Sequence, residues 1–264
     1  MANKIPNIIQ SNKIKINGRD VHYFVAGQGD PLVVIHGGGG DATTWLNNAA
    51  MLSDNYTVYI PNLPGFGESQ PLDGDYYLSG LVEFVDCFAD NLELESFYLV
   101  GHSVGGGVAL NYAIESPHRI KKLVLISSLC LGKEIALWIR LMSVTLRGIF
   151  PAILAVPGVI RRLSKTLLIP VELMMPSFRA SASLGSRIAT VKEQTLVLTN
   201  RLPEIIMPTL VVWGANDNIV PVRQAYAAAQ LIPNCQLKVF ENRGHDIQRD
   251  EISEFSKLVT SFLG

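Results

Sequence analysis

Tyr98-Leu99-Val100-Gly101-His102-Ser103-Val104-Gly105-Gly106-Gly107-Val108 is the stretch on which the reading of this chain turns. Its first residues are apolar and strand-favouring. Its middle spells Gly101-x-Ser103-x-Gly105, and Val108-Ala109-Leu110-Asn111-Tyr112-Ala113 continues with helix-forming residues. A strand, a tight turn carrying a serine and then a helix is the context that a nucleophile elbow requires. A serine on so sharp a turn sits in a strained backbone conformation, and side chains two residues to either side would collide. Glycine removes the collision. The hydroxyl is lifted above the sheet edge at a helix N-terminus, where the dipole favours negative charge.

Working outward, the strand before it is Leu32-Val33-Val34-Ile35, a continuous apolar run that suits burial on both faces. It ends in His36-Gly37-Gly38-Gly39-Gly40, too glycine-rich for a helix or strand interior. A loop whose backbone amides approach a ligand closely serves either phosphate cradling or oxyanion stabilisation. Asp41-Ala42-Thr43 lacks the Gly-Lys-Ser/Thr ending of a phosphate loop, and Tyr56–Pro61 leads into Asn62-Leu63-Pro64-Gly65 rather than an acid, against a dinucleotide fingerprint. An HGGG-type loop after an early strand is instead the partner of a serine elbow and supplies an oxyanion N–H.

Serine is a weak nucleophile at its own pKa and needs a base oriented by an acid. The elbow predicts an acid and then a histidine downstream. Thr209-Leu210-Val211-Val212-Trp213-Gly214 reads as a buried strand and exits into a loop holding Asp217; Cys235–Phe240 alternates as a strand and exits through Glu241-Asn242-Arg243-Gly244-His245-Asp246. Of the five histidines, His36, His102 and His245 lie at strand ends. His36 precedes the glycine loop, and His102 adjoins the serine and is expected to point away from it, so His245 takes the base position. Asp246 and Asp250 are rival acids to Asp217.

The remaining elements fit the same scheme. Lys13–Arg19 turns at Asn17-Gly18 into Val21–Gly27, a β-hairpin. Helices are expected over 46–53, 78–92, 222–231 and 252–262, and a further buried strand over 121–128. Strands alternating with helices imply a mostly parallel sheet covered on both faces, with sites at the carboxyl ends of its strands. Between 129 and 205 the character changes. Strand-like runs stop, prolines stand at 151, 157, 170 and 176, and ten lysines and arginines face four glutamates. The segment is expected to be a cap of several short helices inserted after the sixth strand, over a core of 1–128 and 206–264, with Met142, Leu173 and Met174 among the bulky residues that could face the pocket.

Composition bounds the class. The chain has 264 residues, 48% hydrophobic and 17% charged, and a net charge of −1, which argues against nucleic acid as a partner. Cys87, Cys130 and Cys235 are far apart and odd in number, which suits neither a disulfide framework nor a metal site. The stretch from Met1 to Pro6 lacks a signal-like apolar run, and no uninterrupted apolar run is long enough to span a bilayer. A soluble, cytoplasmic setting is expected. Oligomeric state is not legible.

Taken together the chain resembles the α/β-hydrolase family over essentially its whole length. The pieces that carry the resemblance are His36-Gly37-Gly38-Gly39, Asn62-Leu63-Pro64-Gly65-Phe66-Gly67-Glu68-Ser69, Gly101-His102-Ser103-Val104-Gly105, Gly214-Ala215-Asn216-Asp217 through Pro221, and Gly244-His245. The resemblance implies Ser103 as nucleophile, Asp217 as acid and His245 as base. It implies an oxyanion hole from the backbone N–H of Val104 with that of Gly38 or Gly39, and a cap in the insertion. The expected activity is hydrolysis of an ester or related acyl bond in a small, largely apolar substrate, with no metal or organic cofactor. Carbon–carbon bond hydrolysis of ring-fission products, thioester hydrolysis, cofactor-free perhydrolysis and a non-enzymatic ligand receptor are the alternatives. A serine nucleophile disfavours epoxide opening and dehalogenation, which use aspartate. Asn62 stands where many relatives carry aspartate, a change that bears on loop packing. Asp246 stands where many carbon–carbon hydrolases carry an aromatic residue.

Overall fold

The structure is a computed structural model and describes residues 9–141, 180–181, 183–184, 187 and 193–264. Eight strands form one sheet: β1 (Gln10–Ile16), β2 (Arg19–Ala26), β3 (Asp30–Ile35), β4 (Tyr56–Pro61), β5 (Phe97–His102), β6 (Ile120–Ile126), β7 (Thr209–Gly214) and β8 (Cys235–Phe240), in the order β1-β2-β4-β3-β5-β6-β7-β8. The first two pair antiparallel, β2 meets β4 antiparallel, and β3 through β8 are parallel. The β1–β2 hairpin closes on Asn17 and Gly18, both at positive φ (49° and 79°), the two-residue turn that Asn-Gly favours.

The described helices are α1 (Leu46–Leu52), α2 (Leu78–Asn91), α3 (Val104–Glu115), α4 (Arg223–Leu231), α5 (Ile247–Asp250) and α6 (Ile252–Leu263). The central strands bury both faces, and their period-2 alternation splits the core in two. Val33, Leu99, Leu125 and Trp213 pack with Leu81, Val85 and Phe88 of α2 and with α3. Val34, Val100, Ile126 and Val212 pack with Trp45, Leu52 of α1 and Phe255 and Val259 of α6. The buried face of α2 is made by Leu81, Val82, Phe84, Val85, Phe88 and Ala89.

Boundaries differ from expectation in small ways with local causes. The strand expected to run to Ser128 ends at Ile126, because Ser127 turns to a φ of 44°. The short helix α5 was not expected; it follows directly on the His245 loop.

The expected cap of 129–205 is described only in part, and Met142, Leu173 and Met174 lie outside the described residues. What is described shows the two ends of the segment laced together. Buried Gln194 donates from its backbone to the Lys133 carbonyl (2.8 Å) and from Nε2 to the Glu134 carbonyl (3.0 Å), while its Oε1 accepts from the Cys130 N–H (3.1 Å). Its basic residues Lys133, Arg187 and Arg201 pair with Glu193, Asp75 and Glu204.

Candidate active site

The serine stands between β5 and α3. Ser103 has φ 54° and ψ −115°, a region that costs a non-glycine residue on the order of 1–3 kcal/mol. Packing enforces it. A Cβ at Gly101 would collide with the Gly105 carbonyl, and one at Gly105 with the carbonyls of Ile35 and His36. Backbone bonds hold the turn on both sides: Ser103 N–H donates to the Ile126 carbonyl (2.9 Å), and the Ser103 carbonyl accepts from Gly107 (3.1 Å) and Leu129 (3.0 Å). Val104 opens α3, so its N–H is among those a helix leaves without an internal partner.

Asp217 and His245, the expected acid and base, stand in the loops after β7 and β8. Asp217 follows β7, with its side chain fully buried. Its Oδ1 accepts from the N–H of Ile219 (2.8 Å) and Val220 (2.9 Å), and its Oδ2 from His245 Nδ1 (2.8 Å). Burial alone would raise this carboxyl's pKa. The hydrogen bond and charge of His245, with the two backbone donors, outweigh burial and hold it below the ordinary aspartate value. A carboxylate only accepts, so His245 Nδ1 donates in this bond, and in the neutral imidazole that arrangement leaves the lone pair on Nε2. The two loops are tied directly, Asn216 N–H donating to the Arg243 carbonyl at 2.9 Å.

The glycine loop passes over this turn. A Cβ on Gly37 would lie 2.8 Å from His102 Nδ1 and 3.3 Å from the Ser103 Cβ; one on Gly38 would lie 3.0 Å from Val104 Cγ2; one on Gly39 would meet nothing. Fully buried His36 anchors the loop. Its Nδ1–H donates to the Gly37 carbonyl (2.8 Å), and its Nε2 accepts from the Leu63 N–H (3.0 Å). Burial lowers its pKa, which suits this neutral tautomer. Asn62 is structural, as expected: its Oδ1 accepts from the Ala42 N–H (2.7 Å) and its Nδ2 donates to His22 Nδ1 (2.9 Å).

Ser103, Val104, Gly37, Gly38, Gly39 and His245 all line one cavity of about 310 Å³. Its wall includes Leu129, Ile135, Trp138, Ile139 and Leu184, all from the segment between β6 and β7. Asp246 does not face His245 in the way Asp217 does; its Oδ1 lies 3.8 Å from His102 Nε2. Asp250 is exposed at the end of α5.

His102, expected to point away from Ser103, also lines the cavity, with its ring centroid 4.9 Å from that of His245 and its Nε2–H donating to the His245 carbonyl at 3.1 Å. Burial, and then the neighbouring His245, push its pKa down to about 3, so it is neutral and its bond ties β5 to the His245 loop. Alternation along β5 places it on the Val100 face, the face that α5 and α6 cover. Ser181 was missed altogether. Its Oγ donates to the Gly38 carbonyl at 3.0 Å, across 143 positions of sequence.

Among the described residues, no group of three metal-ligating side chains is present, and no helix is long and apolar enough to cross a membrane. The sequence matches the alpha/beta hydrolase fold family over residues 30–148 and 172–251, and the chain belongs to that family. It is 32% identical to a 2-hydroxy-6-oxo-6-phenylhexa-2,4-dienoate hydrolase of Comamonas testosteroni, the match covering 92% of this chain and 91% of that protein. It is 31% identical to the dihydrolipoyllysine-residue acetyltransferase component of the acetoin cleaving system of Cupriavidus necator, covering 94% of this chain and 68% of that one. Among solved structures, a putative lipase from Acinetobacter baumannii AYE superposes with a TM-score of 0.78 at 26% identity, covering 97% of this chain and 91% of that one.

Proposed function

We propose that the protein is a serine hydrolase that cleaves an ester or related acyl bond of a small, largely apolar substrate. The observation that carries this reading is the placement of strained Ser103 in one cavity with His245, itself bonded to buried Asp217. His245 Nε2 takes the Ser103 proton as Oγ attacks the carbonyl, and Asp217 stabilises the imidazolium that results. The backbone N–H of Val104 and one N–H of the glycine loop hold the oxyanion. His245 then gives its proton to the leaving group, and water releases the acid by the reverse sequence. No step calls for a metal or an organic cofactor. The segment 129–205 acts as a cap whose apolar residues exclude water and set substrate size. The test is a panel of p-nitrophenyl esters of increasing chain length, with Ser103→Ala as control. Turnover that survives in Ser103→Ala would remove the reading.

A second reading, hydrolysis of a carbon–carbon bond in a ring-fission product, is favoured by the 32% identity to the Comamonas testosteroni enzyme over nearly all of both chains. It uses the same residues. Assaying a vinylogous 2-hydroxy-6-oxodienoate beside the esters separates the two by their kcat/KM.

A further inference from the structure

The oxyanion loop is a run of four glycines, and glycine has no side chain to fix its own φ and ψ. Something else must hold Gly38. In a trans peptide the C=O and the following N–H point in opposite directions, so a hydrogen bond to the carbonyl fixes where that N–H points. The peptide before Gly38 is held by His36, whose Nδ1–H binds the Gly37 carbonyl at 2.8 Å. His36 is fully buried and Gly38 lines the cavity, so the Gly38 N–H points from the interior toward the cavity. The peptide after Gly38 is held by Ser181, whose Oγ donates to the Gly38 carbonyl at 3.0 Å. That bond turns the Gly39 N–H away from Ser181. Gly38, and not Gly39, also packs beside Val104, the other donor.

We infer that Ser181 is a positioning residue: it locks Gly38 between two fixed peptide planes so that the Gly38 N–H, paired with that of Val104, forms the oxyanion site. The inference rests on the serine-hydrolase reading above and extends it, since the site then needs three separate parts of the chain. Ser181 is itself seated by its neighbours. Buried Ala180 would touch a Cβ on Gly65, Ser183 Oγ accepts from the Tyr76 N–H (2.9 Å), and Arg187 pairs with Asp75 and stacks over Tyr77 at 4.0 Å.

The test compares Ser181→Ala, Ser181→Thr and Ser181→Val; the last two share a shape and differ in the hydroxyl. Steady-state kinetics on a p-nitrophenyl ester are measured with the affinity for benzeneboronic acid, which forms a tetrahedral adduct on an activated serine, and thermal melting is recorded for each. Losing a direct oxyanion donor costs on the order of 10²–10³ in kcat; freeing its peptide costs less, roughly tenfold. Ser181→Ala and Ser181→Val should lose that factor in kcat with KM almost unchanged, and should lose boronate affinity in proportion, while Ser181→Thr keeps both. Wild-type kcat in Ser181→Val overturns the inference. So does a change confined to KM, which would make Ser181 a substrate contact, and so does an equal loss in Thr and Val, which would make it a packing residue. Ser103→Ala in the same assay keeps the two claims apart: if it stays active, the serine-hydrolase reading fails; if it is inactive while Ser181→Val is normal, the positioning role alone fails.

Discussion

The turn after β5 and the loop after β3 leave the same sheet edge and meet at Ser103, yet they are held by opposite means. The elbow is fixed by exclusion. Carbonyl groups of Gly105, Ile35 and His36 occupy the space where side chains on Gly101 and Gly105 would go, and three backbone hydrogen bonds close on Ser103 itself. The glycine loop is fixed by polar anchors. Gly39 has open space around it, and the loop keeps its shape through His36 and Ser181. A sterically locked turn suits a nucleophile that must bear a strained backbone throughout the cycle. A loop held by hydrogen bonds can aim an N–H at a developing charge without needing room for side chains. The first kind of turn is written locally in sequence. The second depends on a residue far along the chain.

The comparison can be broken first at the chemistry. Ser103→Ala and His245→Ala should each lower kcat by roughly 10⁶, with the double variant little worse, because the groups act as a unit. Additive losses in steady-state kinetics would show that the elbow does not deliver its serine to His245. Asp217→Asn comes next, with a loss of about 10⁴ in kcat and an unchanged fold, since the histidine then loses its orientation and tautomer. A mild effect, with Asp246→Asn severe, would move the acid.

Stability measurements sharpen the contrast between the two turns. Gly101→Ala and Gly105→Ala should each cost more than about 3 kcal/mol in urea unfolding, because the colliding atoms are backbone and cannot step aside. Gly39→Ala should be neutral, or stabilising by up to about 1 kcal/mol, because its site is open and its φ is not positive. Equal costs at Gly39 and Gly101 would erase the distinction.

A separate expected effect is on pH dependence. His102 keeps a pKa near 3 against 6.5 for the free side chain. Between those values the unfolded chain binds a proton that the folded chain refuses, so stability falls as pH drops through this window and is constant above it. Replacing His102 with glutamine should reduce that slope in denaturant melts between pH 7 and pH 4, leaving the part that His36 and His22, also lowered by burial, contribute. Asp217, held below its ordinary pKa, adds a loss in the same direction only at lower pH, as pH falls through its folded value.

Most of the fold was legible because the buried strands announce themselves. Leu32–Ile35, Leu123–Ile126 and Leu210–Trp213 are apolar on both faces, and the glycine-rich exits mark their carboxyl ends. Asp217 and His245 could be picked out from chain order and loop position, and their side chains lie 2.8 Å apart. What escaped was direction and distance. The contact of His102 with His245 depended on which sheet face the His245 loop crosses. Gly38 could not be separated from Gly39 while Ser181, on which their difference rests, lay 143 positions away with no motif around it. The backbone bonds from Ile219 and Val220 that hold the Asp217 carboxylate had no signal in the sequence.

Intact-protein mass spectrometry after brief exposure to a fluorophosphonate reads whether Ser103 is an activated nucleophile. A single covalent adduct, mapped to Ser103 by peptide analysis, should form quickly in the wild-type chain, slowly in His245→Ala and not at all in Ser103→Ala. An unmodified wild-type mass, or an adduct that persists in Ser103→Ala, would contradict the serine-hydrolase reading.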